Sequence, residues 1–311
     1  MEPMIISLNA VLPMFLMIGC GFLAKRFRLL TKEVANQATR LYSCIFLPAM
    51  LCNNIYHSEL NRSFNLAALL FCLGGLVLEF LVWLLLVRRI ERRPAARGVM
   101  LQASFRCNIM LLGLPIVISL FGQAHVGSIS VIAVAANTLI NILAVISLEI
   151  FRGRALSPGR TLRDIAANPM LIASFAGAVL LLLRIPVPYI IESALGSMAK
   201  AATPVALVLL GATLELDWAG SRRNILICNL NRLIISPAFF LAAAVLIGFR
   251  GADLAVVLAV FAGPVAVSSL ALASEMNGDC DLARAIILST TMFSCLTLFL
   301  WIWMLNAFGL L

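Results

Sequence analysis

The sequence predicts an all-α membrane protein whose ten transmembrane helices form two five-helix repeats of inverted topology. Three observations predict this fold class: long apolar runs, basic residues that alternate between connections, and prolines that recur in both halves. Hydrophobic residues make up 62% of the 311 residues and charged residues only 12%, with a mean hydropathy of +1.05. A soluble domain is about half apolar and a quarter charged. The composition therefore excludes an ordinary soluble domain.

Ten apolar runs are long enough to be transmembrane spans, because about twenty apolar residues cross a bilayer as a helix. The seventh run holds Glu192 and Lys200 in its first half, so we expect it to begin near an interface. In chain order the predicted spans are 5–24, 38–57, 65–87, 98–121, 126–150, 165–183, 189–214, 224–249, 253–275 and 282–308.

Basic residues orient these spans, since Lys and Arg concentrate in cytoplasmic loops. The odd-numbered connections are basic, except that the ninth, NGDCDLAR, holds more acid than base. The even connections hold little beyond Arg62, Arg184 and Arg250. The net charge of +9 is thus interpreted as a topology signal rather than as a nucleic-acid surface. Both termini are predicted to lie outside. The basic clusters are Lys25, Arg26, Arg28 and Lys32; Arg88, Arg89, Arg92, Arg93 and Arg97; Arg152, Arg154, Arg160 and Arg163; and Arg222 and Arg223.

An internal repeat divides the chain into residues 1–150 and 165–311, joined by a cytoplasmic linker at 151–164. Because each repeat has an odd number of helices, the second must enter the membrane from the opposite side. Inverted repeats that each contain a broken helix are typical of secondary transporters, with the substrate site at the midplane. The matching pairs are Pro13 and Pro169, Met14 and Met170, Gly21 and Gly177, Arg28 and Arg184, Pro48 and Pro204, and Pro115 and Pro264.

Glycine and proline predict the broken helices. Gly113 and Pro115 are expected to interrupt the fourth span, and Gly263 and Pro264 the ninth. Irregular backbone is tolerated at membrane depth only where it lines a cavity or packs within protein. After each break a new half-helix begins, and its free amides and positive dipole end attract anions. The two breaks therefore predict an anion site near the middle of the membrane.

Polar residues beside the breaks are the candidate ligands. Asn108 lies about two turns before Pro115, and its amide offers both donors and an acceptor. Ser268 and Ser269 follow the second break and either donate to a ligand or bond back to their own helix. Arg106 either extends to the interface or forms an electropositive vestibule for anions.

Glu79 is the clearest carboxylate within a span. Such a group either couples transport to a proton or sodium ion or pairs statically with a Lys or Arg of a neighbouring helix. Asn137 and Asn141 share one face of the fifth span and are expected to join helices.

A different kind of transporter, an exchanger of the sodium/proton or bile-acid type, has two broken helices that cross each other. Such exchangers need acidic residues beside the crossing. No acid lies within one turn of Pro115 or Pro264.

Enzymatic chemistry has no support in the motifs. The eight cysteines form no CxxC pair, and His57 and His125 have no metal-binding or nucleophilic pattern nearby. No HExxH, GxSxG or phosphate-binding glycine loop occurs. We therefore expect no enzyme, metal or cofactor. The alternative to transport is a membrane sensor or scaffold that binds an organic anion without moving it.

The stretch FRCNIMLLGLPI, residues 105–116, resembles the auxin efflux carrier family. This family includes the plant PIN-FORMED exporters and bacterial permeases described as malonate or malate carriers. The family has Asn, then Gly five residues on and Pro seven on, as do Asn108, Gly113 and Pro115. Supporting stretches are LPAML in the second span, NPMLIA in the sixth and GPVAVSSLALASEMNGD in the ninth.

This resemblance implies that spans 4 and 9 cross at their prolines. It also implies a scaffold of spans 1, 2, 6 and 7, a transport domain of spans 3–5 and 8–10, and elevator-type movement between them. The expected substrates are small organic carboxylates, with Asn108 touching the carboxylate. The expected partners are that anion, the lipid bilayer and a coupling proton or sodium ion, with a homodimer as a candidate assembly. Without a long central loop, the chain fits a permease of the bacterial inner membrane, its termini on the periplasmic side.

Overall fold

The computed structural model describes residues 2–57, 65–121, 126–152, 169–213 and 221–311, and these residues are almost entirely helical. Most of the predicted linker, together with Arg62 and His125, lies outside the described residues. The first half contains α1 (Glu2–Arg26), α2 (Lys32–Leu41), α3 (Leu47–Tyr56), α4 (Leu66–Ile90), α5 (Pro94–Phe105), α6 (Leu114–Phe121) and α7 (Val126–Arg152). The second half contains α8 (Pro169–Leu182), α9 (Tyr189–Thr213), α10 (Arg222–Leu230), α11 (Ser236–Ile247), α12 (Gly251–Ala262), α13 (Ser268–Glu275) and α14 (Cys280–Ala307).

Several helices of the described part are long and apolar enough to cross a membrane. By length and composition there are four such helices, and a fifth if a bent pair counts as one span. That pair is Tyr189–Ala202 and Pro204–Ala212, which meet at an angle of 40°. The protein is therefore a multi-pass, all-α membrane protein. The four helices are Leu66–Ile90 (α4), Ile129–Phe151 (most of α7), Arg222–Ile247 (α10, the turn after it and α11 counted as one helix) and Cys280–Ala307 (α14).

Three prolines follow wide π-helical turns instead of sharp breaks. Proline lacks an amide hydrogen, and its ring clashes with the carbonyl one turn earlier, so a wider turn gives that carbonyl room. For Pro237 this carbonyl belongs to Leu233, and it accepts a hydrogen bond from the indole of Trp301 at 3.0 Å. The turns are Tyr42–Phe46 before Pro48, Ile109–Gly113 before Pro115 and Asn231–Ile235 before Pro237.

The first helix break lies upstream of its predicted position. Helix α5 ends at Phe105, and the non-helical residues are 106–108. Gly113 belongs to a π-helical turn and Pro115 is the second residue of α6, so neither interrupts the helix. The clash between the Pro115 ring and the preceding turn was expected to break the helix, but the wider π-turn gives the ring room. The second break, at residues 263–267, includes Gly263 and Pro264 as predicted.

Glycines allow two helix pairs to approach closely. A β-carbon on Gly21 of α1 would overlap the carbonyl of Val208 in α9, and one on Gly211 would overlap the carbonyl of Ile18. A β-carbon on Gly177 of α8 would lie 2.7 Å from the carbonyl oxygen of Cys52 in α3. Small residues at such contacts let membrane helices pack backbone to backbone. Helix α1 is thereby packed on α9, and α3 on α8.

Candidate functional site

The two non-helical stretches pair with each other through their backbones. The amide of Asn108 donates to the carbonyl oxygen of Pro264 at 2.9 Å, and the amide of Ala266 donates to the carbonyl oxygen of Arg106 at 3.1 Å. Together these bonds form an isolated antiparallel β-bridge. Buried backbone groups need partners, and each stretch supplies them for the other. The two broken helices therefore meet at one junction inside the protein.

Arg232 joins the two broken helices at this junction. The side chain is fully buried, with 0% exposure. It donates from Nε to the carbonyl of Gly263 at 2.8 Å, from Nη2 to that of Val260 at 2.6 Å and from Nη1 to that of Ser104 at 3.0 Å. The carbonyl of Val260 has no helical donor, because Pro264 follows one turn later. These carbonyls are the negative ends of α12 and α5, which a cation stabilises.

Glu79 of α4 lies beside Arg232. Its Oε2 is 3.9 Å from Arg232 Nη1, and its Oε1 accepts a hydrogen bond from Asn231 Nδ2 at 3.2 Å. Glu79 and Arg232 are both buried. This geometry is the one expected for the second alternative, in which Glu79 pairs with an arginine of a neighbouring helix. The positive charge of Arg232 is consequently balanced where it lies.

Arg106 has a different environment. The side chain is only 4% exposed, and its partners are three neutral oxygens. Nη1 donates to Gln102 Oε1 at 3.2 Å, and Nη2 donates to Asn141 Oδ1 at 3.3 Å and to Ser268 Oγ at 3.0 Å. No carboxylate in the described part of the chain forms an ion pair with it. A buried charge without a counter-charge is costly, and Arg106, unlike Arg232, has no negative group beside it among the described residues.

The start of α13 adds to this positive potential. The helix begins at Ser268, the residue whose hydroxyl accepts from Arg106. Its first amides are not all free, because those of Ser269 and Leu270 donate to carbonyls of the preceding turn at 3.0 and 3.1 Å. The N-terminus still carries the partial positive charge of the helix dipole. A guanidinium at this end is unfavourable by itself. An anion placed between the two would satisfy both.

Two buried donors at the junction also lack partners. Asn108 Nδ2 and Ser269 Oγ form no hydrogen bond among the described residues, although both side chains are buried. Asn108 precedes a π-helical turn, where Asn often caps the helix with its side chain, yet it makes no such bond. Unpaired buried donors are rare, and here they suit a ligand with acceptor oxygens.

The structure distinguishes several alternatives left by the sequence. Arg106 does not extend to an interface but is buried at the junction. Among the described residues, neither Ser268 nor Ser269 has a hydroxyl bond back to its own helix. Asn141, predicted to join helices, connects α7 to Arg106. The roles of these side chains toward a substrate stay predictions.

Two residues of the junction were missed in the sequence. Gln102 is fully buried and donates from Nε2 to the carbonyl of Ser269 at 3.2 Å. Its spacing of four from Arg106 within the predicted fourth span was the available signal. Arg232 was detectable as a lone arginine within the predicted span 224–249, because a charge in a membrane span is a functional candidate by default. It also falls in the same helix of its repeat as Glu79 does in the other.

Comparison with known proteins places the chain in a family. The family described as "Membrane transport protein" matches residues 6–158 and 156–302. The chain belongs to this family, the auxin efflux carrier family of membrane transporters. The resemblance seen in the sequence is thereby confirmed. The stretch of residues 105–116 that carried this resemblance is also the stretch that contains the first helix break.

Two archaeal proteins align with nearly the whole chain. One, described as an uncharacterized transporter of Methanocaldococcus jannaschii, is 25% identical and covers 96% of this chain and 99% of its own length. The other, an uncharacterized transporter of Methanothermobacter thermautotrophicus, is 23% identical and covers 95% and 97%. The class of function is thus membrane transport. Since both relatives are archaeal, a bacterial inner membrane stays a prediction, as does the orientation of the termini.

Proposed function

We propose that this member of the auxin efflux carrier family is a secondary transporter that moves small organic carboxylate anions by elevator-type alternating access. The observation that carries the proposal is the buried guanidinium of Arg106, which faces the start of α13 and pairs with no described carboxylate. A carboxylate bound there would form charge-assisted hydrogen bonds, which are stronger than those Arg106 now makes to neutral oxygens.

The unpaired donors complete the proposed site. Asn108 Nδ2 and Ser269 Oγ are free to bind the second carboxylate oxygen or another acceptor of the substrate. A hydrogen bond to a charged group contributes about 1.5–3 kcal/mol, and a helix N-terminus about 0.3–2 kcal/mol. Three such bonds and one helix N-terminus, less the entropy cost of association, correspond to binding in the micromolar to millimolar range. That range suits a transporter, which must release its substrate as well as bind it.

The helix contacts support the proposed architecture of ten spans in two inverted repeats. In an inverted repeat, a contact between span 1 and span 7 has its counterpart between span 6 and span 2. The glycine contacts follow this rule, because Gly21 joins α1 to α9 and Gly177 joins α8 to α3. Gly21 and Gly177 are also one of the residue pairs matched between the repeats. We assign these four spans to a scaffold and the remaining six to a transport domain.

The transport domain would move as one body. The β-bridge between the breaks and the three carbonyl bonds of Arg232 hold both broken helices together. A bound anion would travel with this junction from one side of the membrane to the other. Domain motions of this kind occur on microsecond to millisecond timescales.

Coupling follows from the charge of the substrate. Export of an anion from a negative-inside cell gains about 2.3 kcal/mol per charge per 100 mV, so export can proceed uncoupled. Uptake needs a proton or a sodium ion, and Glu79 was the candidate carrier. Its ion pair with Arg232 supports a structural role instead.

Flux measurements in proteoliposomes test the proposal. We expect carrier-dependent movement of a labelled carboxylate such as malonate or lactate, strongly reduced in Arg106→Gln and Asn108→Ala. Arg40→Gln is the matched control, since Arg40 is exposed on α2 outside the junction. Equal flux in the wild type and both site variants would show that Arg106 and Asn108 do not bind the transported anion. Thermal stabilisation by a carboxylate without flux under any gradient would instead support the sensor alternative.

A further inference from the structure

Two arginine-rich segments that are distant in the sequence meet at one end of α4. Glu91, which follows α4, accepts hydrogen bonds at Oε1 from the amides of Arg92 at 2.8 Å and Arg93 at 2.9 Å. Its Oε2 accepts a hydrogen bond from Asn224 Nδ2, in the first turn of α10. The contact brings residues 88–93 next to Arg222 and Arg223.

Some of these arginines already have partners. Arg93 forms an ion pair with Asp279 Oδ2 at 3.1 Å. Arg97 donates from Nε to the carbonyl of Glu91 at 2.6 Å. The guanidinium groups of Arg88 and Arg97 each lie 6.0 Å from the centre of the Phe151 ring. These three side chains are therefore engaged in holding the loop after α4.

Four arginines remain, and they define the arginine patch: Arg89, Arg92, Arg222 and Arg223. All four side chains are exposed, and none forms an ion pair with a described carboxylate. Glu91, the acid that joins the two segments, already accepts three hydrogen bonds. Partial burial acts to raise its pKa, but hydrogen bonds from the Arg93 amide and Asn224 outweigh burial and lower the pKa to about 2. The patch thus carries four positive charges without acid partners in the described part.

The position of the patch indicates its partner. The membrane-length helices Leu66–Ile90 and Arg222–Ile247 both have an end there. The ends of membrane-spanning helices lie at the depth of lipid headgroups, where guanidinium groups bind phosphate with two parallel hydrogen bonds. We propose that the arginine patch docks the headgroup of an anionic phospholipid.

If these arginines served only to orient the spans in the membrane, the two arginine-rich segments would not need to lie next to each other. The orienting effect of Lys and Arg depends on how many lie near each span, not on contact between residues of the two halves. Here the Glu91–Asn224 hydrogen bond brings the two segments together. Helix α4 also carries Glu79, and the chain after α10 carries Arg232. A lipid at the patch would therefore contact the helices that hold the junction in place.

Thermal unfolding in nanodiscs tests the proposal. For each variant the readout is the difference in unfolding midpoint between phosphatidylglycerol and phosphatidylcholine nanodiscs, so a general loss of stability cancels. In the wild type we expect a midpoint several degrees higher in phosphatidylglycerol. That difference should disappear when the four patch arginines are replaced by Gln, and a variant with four Lys should retain most of it. Native mass spectrometry should show a retained anionic lipid in the wild type and none in the Gln variant.

The matched control removes the same charge elsewhere, by replacing the exposed residues Arg26, Arg28, Arg40 and Arg184 with Gln. It should keep the difference between the two lipids. The proposal is overturned if the patch variant keeps this difference, or if the control loses it equally. Inorganic phosphate added to phosphatidylcholine nanodiscs should not raise the midpoint. If phosphate does so in the wild type and not in the patch variant, the patch binds a soluble anion and the lipid proposal fails.

Discussion

Arg106 Nη2 lies 3.0 Å from the hydroxyl oxygen of Ser268, the first residue of α13. The contact places a buried cation at the positive end of a helix. Neither charge nor dipole favours this arrangement in the absence of an anion. By contrast, Arg232 lies at the negative ends of two helices and beside Glu79. The two buried arginines of the junction therefore have opposite environments: the surroundings of Arg232 stabilise its charge, whereas Arg106 is the arginine for which we propose a ligand.

Replacing Arg106 should weaken anion binding without destabilising the unliganded protein. Arg106→Gln removes a charge-assisted bond of about 1.5–3 kcal/mol, which corresponds to roughly 10- to 150-fold weaker binding. Arg106→Lys keeps the charge but loses the planar fork, so an intermediate affinity is expected. Ligand titration by thermal shift gives the affinity, and the midpoint without ligand gives the stability. An unchanged half-saturating concentration in Arg106→Gln would contradict the site.

The charge balance at the junction predicts a preference for monoanions. Glu79 balances Arg232, so the uncompensated charge of the described site is that of Arg106 alone. A lactate or acetate ion should bind more tightly at neutral pH than malonate, whose second charge would lack a partner. Malonate should gain affinity between about pH 7 and about pH 5, as one of its carboxylates becomes protonated. Tighter binding of the malonate dianion at neutral pH would show that a second cation joins the site.

The unpaired donors predict an unusual combination of effects. Asn108→Ala and Ser269→Ala each remove a buried donor that has no partner in the unliganded protein, so stability should hold or rise. Ligand affinity should fall by roughly tenfold or more, because each donor is expected to bond a charged acceptor. Ser147→Ala is the control. Its buried hydroxyl donates to the carbonyl of Leu143 at 2.7 Å, outside the junction, so its loss should leave affinity unchanged.

Arg232 and Glu79 should be strongly coupled in stability. Arg232→Gln removes bonds to three carbonyls and leaves Glu79 buried without a cation, which should cost about 3–5 kcal/mol. Glu79→Gln leaves those bonds intact and should cost less. In the double variant the loss should be smaller than the sum of the two single losses. Unfolding of the purified protein in detergent measures the cycle, and additive losses would argue against the pair.

The same Glu79→Gln variant separates a structural role from a coupling role. If Glu79 carried the coupling ion, the substitution would abolish the dependence of flux on a proton or sodium gradient while the protein stayed folded. We expect the gradient dependence of flux to be unchanged and the unfolding midpoint to fall.

Helix positions were predictable because membrane thickness sets both the length and the apolarity of a span. The third span was predicted at 65–87 and the helix is Leu66–Ile90; the tenth was predicted at 282–308 and the helix is Cys280–Ala307. The break at Gly263 and Pro264 was also predictable, since its cause is local. These features depend on residues that are neighbours in the sequence.

The first break was not predictable in the same way. Residues 106–108 contain no proline or glycine, and their conformation is stabilised by bonds to Pro264 and Ala266, which lie more than one hundred residues away. The three carbonyls bound by Arg232 are likewise brought together only in the folded protein. The sequence therefore indicated which polar residues are candidates for a binding site. The assignment of one arginine to structure and the other to a ligand required the contacts.

Close packing between α1 and α9 makes a prediction about the proposed scaffold. A β-carbon on Gly21 would overlap the carbonyl of Val208, whereas one on Gly19 would meet nothing within 4 Å. Two helix backbones cannot easily yield, so Gly21→Ala should lower stability by about 1–3 kcal/mol. Gly19→Ala, its control two residues away, should be neutral or slightly stabilising because Ala favours helix.

Measuring carboxylate affinity in Gly21→Ala tests whether α1 and α9 belong to the proposed scaffold or to the binding site. If α1 and α9 belong to the scaffold and the junction to the moving part, Gly21→Ala should leave carboxylate affinity unchanged even as the unfolding midpoint falls. Flux per folded protein should change, since the surface along which the junction moves has shifted. Thermal shift titration and proteoliposome flux on the same preparation measure both quantities. A loss of affinity matching that of Asn108→Ala would place α1 in the binding site and remove the proposed division into scaffold and transport domain.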